Sequence, residues 1–297
     1  MIIDISTEGG GGRGIHKFLF FLKKINNNYE LNNIENNNNS KIIFRAKWFC
    51  QEKYWNNKPK KYIYWSGESY PPPKSEFETK SLYIITHIDP LLNSLYIPYF
   101  LYSPYLYQDR YHKNSNRKYL IAYCHRNIVK EREEIFNLFV EKSSEEICHS
   151  LSGACGNYPK TKIKSIGGGW GSKILIDTYK DYKFVIAMEN KIVDGYITEK
   201  ILNAFASGAI PIFWGSNKVK EFFNEKAFIN VNDFKSFEGC VDYCINLSDE
   251  QISKMQNEPI YTNNELVNIF NENFEKNKNG TNQVLNDYVQ KVKEFIQ

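Results

Sequence analysis

At 297 residues, with 42% apolar and 15% aromatic residues, the chain is long enough for two domains and can bury a substantial core, which excludes global disorder. Its 38 Lys and Arg against 34 Asp and Glu leave a net charge of +4; that excess is too small and too scattered for a nucleic-acid surface, though it suits a cleft that collects an anion. The six cysteines, Cys50, Cys124, Cys148, Cys155, Cys240 and Cys244, match no metal framework, and Cys240 and Cys244, one helical turn apart, read as core thiols in a reducing compartment.

The opening MIIDISTEGG has no basic n-region and no small-residue cleavage site, and the apolar run over 18–22 is too short to cross a bilayer. The expectation is a soluble, cytoplasmic protein with no transmembrane segment. A buried strand is predicted over 2–5 and a helix over 15–25, with GGGGRG at 9–14 between them. Those glycines fit G-x-G-x-x-G in the strand-turn-helix context of a dinucleotide site, and three readings stand: a flexible turn, a cleft-lining loop in which Gly11 lets backbone approach a ligand, and an NAD site. The NAD reading also needs an acidic residue at the end of the second strand, about 20 residues on. That position falls in the asparagine-rich tract at 26–39, which reads as a surface loop and leaves Glu30 and Glu35 poorly placed.

Strand patterns resume at 41–49 and 61–65, the second ending in Ser66, Gly67, Glu68 and Ser69 before Pro71, Pro72 and Pro73. Glu68 is either a turn residue or a carboxylate facing a cleft. Another strand is predicted over 81–87; His87 beside Asp89 lacks a partner nucleophile and carries no catalytic assignment. The tyrosines at 96, 99, 102, 105 and 107 suit core packing or stacking on sugar faces. The polar segment 108–118 marks a boundary, giving domains at 1–115 and 116–275 and a C-terminal helix over 276–297 that packs back on the first domain.

The second domain opens with a strand over 119–124 and a helix over 128–140, with Asn127 as its N-cap. Arg132 is an exposed arginine pairing with neighbouring glutamates or a ligand contact, and Arg126 is the alternative contact. GGGWG at 167–171 is given no chemistry. The most informative stretch, 184–215, reads strand, loop, helix from near Gly195, and strand: one crossover unit of a parallel sheet, with the loop at 191–195 a candidate anion site. Glu199 and Lys200 are either a surface pair on an amphipathic helix or contacts to a nucleotide, the carboxylate for ribose hydroxyls and the ammonium for a diphosphate. Further helices are predicted after Gly215, over 248–255 and 264–273, and an amphipathic one over 282–296, with a strand over 228–231.

Phe184, Glu189, Asn190, Tyr196, Ile197, Thr198, Glu199, Lys200, Ile210, Pro211, Ile212 and Gly215 occupy every fixed position of a pattern F-x-x-x-x-E-N, Y-[IV]-T-E-K, I-P-[IV]-x-x-G. This resembles the signature of the alpha-1,3/4-fucosyltransferases, glycosyltransferase family 10. The resemblance implies an α/β fold of two Rossmann-like domains facing each other across a cleft, the GT-B type, and an inverting transfer of L-fucose from GDP-fucose to a glycan hydroxyl, N-acetylglucosamine O3. YWSGES is similar to the family element whose Glu is the base, which makes Glu68 the general base. The donor-binding residues implied are Arg132, from an N-x-x-x-x-x-R segment here one residue shorter, Asn190, Tyr196, Glu199 and Lys200. No cofactor beyond the donor substrate is implied, and the chain has no Asp-x-Asp pair for a metal. The absence of a stem suggests a microbial or viral member. The competing classes are an NAD-dependent oxidoreductase or epimerase built on the N-terminal glycines, and a non-catalytic protein that binds GDP-fucose or glycans.

Overall fold

Short apolar runs separated by helical patterns predict parallel strands, and parallel pairing is what the strands adopt. The computed structural model describes residues 4–8, 30–33, 42–46, 61–69, 81–89, 93–103, 105–106, 110, 116–125, 127–151, 172–262 and 283–296. The chain divides into two compact units, one of Met1–Tyr102 with Glu265–Gln297 and one of Ser103–Asn264.

The first unit holds a six-stranded sheet of order β2-β1-β3-β4-β5-β6. Its strands are β1 (Asp4–Glu8), β2 (Glu30–Asn33), β3 (Ile42–Ala46), β4 (Lys61–Ser66), β5 (Ser81–Ile85) and β6 (Ser94–Tyr96), and every pairing is parallel. Ile63, Leu82, Ile84, Ile85, Leu95 and Ile97 are at most 3% exposed, as strands covered on both faces require. β2 corrects the reading of the asparagine tract as a loop at 30–33; the rest of the tract lies outside the described residues. Asp4 to Thr7 pair with Glu30 to Asn33, because an edge strand is held through its main chain, which asparagine offers as well as valine does. β2 also ends in Asn33, so the position where a dinucleotide site needs its acidic residue carries an amide; Glu30 opens the strand and Glu35 lies outside the described residues. Gly11 and the predicted helix at 15–25 lie outside them too.

The C-terminal helix, Gln283–Ile296, belongs to this first unit. Lys61 Nζ donates to the carbonyls of Phe295 at 2.7 Å and Ile296 at 3.3 Å, satisfying the orphan groups of the helix end with a cation that its dipole favours. Lys291 bonds to the Ser94 carbonyl.

The second unit holds a five-stranded sheet of order β11-β10-β9-β7-β8, formed by β7 (Tyr119–Tyr123), β8 (Cys148–Ser150), β9 (Tyr182–Ile186), β10 (Ile210–Phe213) and β11 (Ile229–Asn230). Around it run α1 (Lys130–Lys142), α2 (Lys173–Tyr179), α3 (Lys200–Ala206), α4 (Val219–Phe222), α5 (Phe237–Asn246) and α6 (Asp249–Asn257). Phe136 and Phe139 of α1, Phe184 and Ile186 of β9, Ile210 and Ile212 of β10, and Cys240 and Cys244 of α5 share one core. Cys240 and Cys244 are unbonded thiols at most 1% exposed.

Whereas the sequence divides the chain at 115/116, the compact units meet at 102/103. Arg110 is buried against the second unit, donating to the carbonyls of Met255 and Glu258 at 3.2 and 3.4 Å and lying 5.0 Å over the Phe205 ring. Arg117 donates to Lys180, Tyr182 and Ser207 carbonyls at 2.8, 2.9 and 3.2 Å, and burial together with the nearby Arg110 lowers its pKa to about 10. Two arginines thus stitch a polar stretch to the base of the sheet. Among the described residues no helix is long and apolar enough to cross a membrane.

Candidate functional site

In chain order the second sheet reads 2-1-3-4-5, with the first strand, β7, between β8 and β9. In doubly wound sheets of this order, ligands bind outside the carboxyl ends of the strands where the order reverses, here between β7 and β9. β7 and β9 are paired as far as Ala122 and Val185. Beyond that point the two strands no longer pair: β7 stays bonded to β8 through Tyr123, and the chain after β9 runs on beside β10. On one side the extension stays paired to β10, with Ala187 N–H on the Ile212 carbonyl and Glu189 N–H on that of Trp214, both 2.8 Å. On the other side, side chains replace the missing strand. His125 Nε2 donates to Ile186 O at 2.8 Å, and Arg132 donates to Met188 O through Nε at 3.0 Å and Nη2 at 2.6 Å.

Arg132 is therefore no surface arginine. It is 1% exposed, rising from the first turn of α1, and also bonds Asn190 Oδ1 at 2.8 Å and Asn127 O at 3.3 Å. Asn127 is not the cap of α1: Val129 occupies that position without a side-chain cap, while the Asn127 carbonyl accepts from Arg132 and Ile128 stands 67% exposed. Arg126 lies outside the described residues.

Glu189 follows on the same extension and is fully buried. Its carboxylate accepts from Thr198 N–H at 2.6 Å, Thr198 Oγ1 at 3.0 Å and Lys200 Nζ at 3.0 Å. Lys200, 8% exposed, also bonds Thr198 Oγ1 at 2.8 Å. A carboxylate with three hydrogen bonds and a paired ammonium meets the conditions for a charge pair away from water. Gly215 makes room for it: a Cβ there would lie 3.0 Å from Glu189 Cγ and 2.8 Å from Phe213 Cζ.

The pair accounts for one departure from the sequence reading. The helix begins at Lys200 and not near Gly195, since Thr198 N–H goes to Glu189 and Gly195, at φ 76°, turns its N–H to Ser216 Oγ at 2.9 Å. The loop at 191–195 turns one of its N–H groups inward. Gly195 and Tyr196 N–H bond to Ser216 and Val193 within the protein, and Asp194 adds an exposed carboxylate. α3 is not amphipathic: all seven of its residues are buried. Tyr196 and Glu199 are buried beside it at 4% and 5% exposure, Glu199 at the N-cap position.

His125 lies within the fields of both Arg132 and Lys200. Burial first, and then those two cations, hold its pKa well below the ordinary 6.5; burial also lowers His149. Below pH 6.5 the unfolded chain takes up protons that these native imidazoles refuse, so stability is lost as pH falls. The slope approaches about 1.4 kcal/mol per pH unit for one such histidine. The urea midpoint is expected to fall between pH 6.5 and 5, and His125→Phe to flatten that fall; equal slopes in the two proteins would contradict it.

Glu68 belongs to the first unit, two residues beyond β4, and is half-buried. Its main chain is tied down on both sides: Glu68 N–H donates to Ser66 Oγ at 3.2 Å, and its carbonyl accepts from His87 Nδ1 at 3.2 Å and Thr86 Oγ1 at 3.5 Å, both just past β5. Gly67 sits where a Cβ would meet Tyr99 Cε2 at 2.7 Å. The carboxylate thus stands on a turn that packing fixes.

Arg132, Asn190 and Lys200 come together, joined by three residues that motif reading had not given a role. Glu189 had a signal, an acidic residue ending an apolar strand with a cation downstream. Thr198 and His125 had none, because their partners are main-chain groups or residues fixed only by the fold. Among the described residues no three His, Cys, Asp or Glu side chains converge as a metal site would require.

Residues 112–256 match the family model described as Glycosyltransferase family 10 (fucosyltransferase) C-term. The alpha-(1,3)-fucosyltransferase FucT of Helicobacter pylori is 45% identical over 75 residues, covering 25% of this chain and 16% of that protein. Among solved structures, an alpha1,3-fucosyltransferase with GDP superposes with a TM-score of 0.63 at 18% identity over 93% of this chain and 91% of that one, and one with GDP-fucose at 0.56 and 20% identity over 86% and 81%. The structural likeness bears on the fold alone; the sequence match likens the second unit of this chain to the C-terminal part of glycosyltransferase family 10.

Proposed function

We propose that this protein is an inverting alpha-1,3-fucosyltransferase that moves L-fucose from GDP-fucose to a glycan hydroxyl, N-acetylglucosamine O3, between two Rossmann-like units in a GT-B arrangement. The observation that carries the reading is the pairing of Arg132 with Asn190, and of Lys200 with Glu189, at the point of the second sheet where a doubly wound fold binds its ligand. Sequence similarity to enzymes named as fucosyltransferases supplies the chemistry, and the fold is shared with structures solved with GDP or GDP-fucose.

In this reading the acceptor oxygen attacks the anomeric carbon in line. The bond from that carbon to the diphosphate breaks as the new one forms, its electron pair leaves on GDP, and the acceptor proton passes to Glu68. Arg132 and Lys200 meet the growing charge on the diphosphate, Glu199 receives the ribose hydroxyls, and Asn190 and Tyr196 contact neighbouring donor atoms. Fixed cations in a water-poor site take the role that divalent metal plays in other transferases.

GDP, and not NAD, is expected to raise the melting temperature, by the equivalent of about 2.7 kcal/mol at a hundredfold excess over Kd. Lys200→Ala should weaken GDP about tenfold or more, as loss of a charge-assisted contact does. GDP-fucose offered with a panel of glycans should yield an alpha-1,3 linkage by NMR. Stabilisation by NAD instead would overturn the reading, and tight GDP-fucose binding without turnover on any acceptor would reduce the protein to a binding module.

A further inference from the structure

We propose that His125 is a positioning residue of the donor site, standing in for the strand partner that β9 loses at the switch point and setting the line from which Arg132 and Asn190 act. The proposal rests on the donor reading above and adds a residue to it. Past Val185 the groups that β9 turns toward β7 are the Ile186 carbonyl, the Met188 carbonyl and the Asn190 side chain. His125 takes the first and Arg132 the other two. Of these the imidazole lies nearest the point where the two strands part, so it decides where the extension starts.

The tautomer follows from the partner. A carbonyl can only accept, so Nε2 carries the proton. Nδ1 is then a bare acceptor, and among the described residues it is buried without a hydrogen-bond partner, in a ring 3% exposed. Buried acceptors are rarely left unmade, and a hydrophobic ring would fill the space without that cost. What a hydrophobic ring cannot do is hold Ile186 O. Among the described residues, Arg132 from α1 and Lys200 at the start of α3 are the charged groups whose fields reach the ring, and both oppose its protonation. A neutral donor thus fixes the strand without adding a third cation beside the diphosphate.

Glutamine carries an amide N–H at about the reach of Nε2, asparagine only at that of Nδ1, and phenylalanine neither. By calorimetry, His125→Phe is expected to weaken GDP by about tenfold, as loss of one buried hydrogen bond implies. His125→Gln should recover most of that affinity and His125→Asn little of it. Nitrogen NMR of the wild-type imidazole should report the neutral Nε2–H tautomer down to pH 5.5, an arm that needs no variant to fold. Unchanged GDP affinity in His125→Phe with only a lower melting temperature would reduce the residue to core packing and overturn the proposal, as would equal losses in the Gln and Asn proteins or a proton on Nδ1. Failure of the wild type to bind GDP at all would remove the donor reading itself, while the tautomer result would still stand or fall separately.

Discussion

Glu189→Ala is expected to cost about 3–5 kcal/mol of stability, the usual effect of removing one member of a buried ion pair. The carboxylate is fully buried and holds Thr198 twice and Lys200 once. Its removal leaves the Lys200 ammonium, 8% exposed, without the charge that offsets its desolvation, and frees Thr198 N–H as well. Glu189→Gln should fall between the two, since an amide oxygen can still receive Thr198 N–H but brings no charge. Lys200→Met in the Glu189→Ala background should restore part of the loss, because a chain of similar length without charge has no penalty to offset. Urea denaturation of the wild type, Glu189→Ala, Lys200→Met and the double variant gives the coupling directly. A cost below about 1 kcal/mol for Glu189→Ala, or simple additivity in the double variant, would show that the pair is not what fixes the loop.

The same pair marks the limit of what the residues reveal on their own. Apolar runs such as FVI in β9 and IPIF in β10 announce buried parallel strands, and the second sheet follows from them. The serine caps of α5 and α6, Ser236 and Ser248, are local too, since a hydroxyl one residue before a helix acts on that helix alone, yet the sequence reading places Ser248 inside its helix. What is hidden depends on distant partners. Lys200 looks like a surface lysine until Glu189, eleven positions earlier, is known to end a strand beside it. Arg132 spends its N–H groups on Met188 O, Asn190 and Asn127 O, and a main-chain acceptor has no letter in the sequence. β2 is hidden for the same reason, being paired along the backbone edge of β1. Resemblance to a family named Asn190, Arg132 and Lys200, while the geometry accounts for why Glu189 stands with them.

Glu68→Gln is expected to lower kcat for fucosyl transfer by about 100- to 10,000-fold, the range for removal of a general base, with affinity for GDP unchanged. The substitution is nearly isosteric, and the turn that carries it is held by main-chain bonds to Ser66, His87 and Thr86 and by the lack of room at Gly67. The amide should therefore stand where the carboxylate stood, so a fall in rate reports lost proton acceptance and not a lost position. Glu68→Asp supplies the converse: it keeps the base but shortens the side chain on a backbone that cannot advance to compensate, and should also be slow. Single-turnover measurements with saturating GDP-fucose separate the chemical step from donor binding. Near-normal rates in Glu68→Gln would show that the acceptor proton goes elsewhere. A loss in Glu68→Gln matched by an equal loss of GDP affinity would instead make Glu68 a donor contact, and the base would have to be sought among other groups of the first unit.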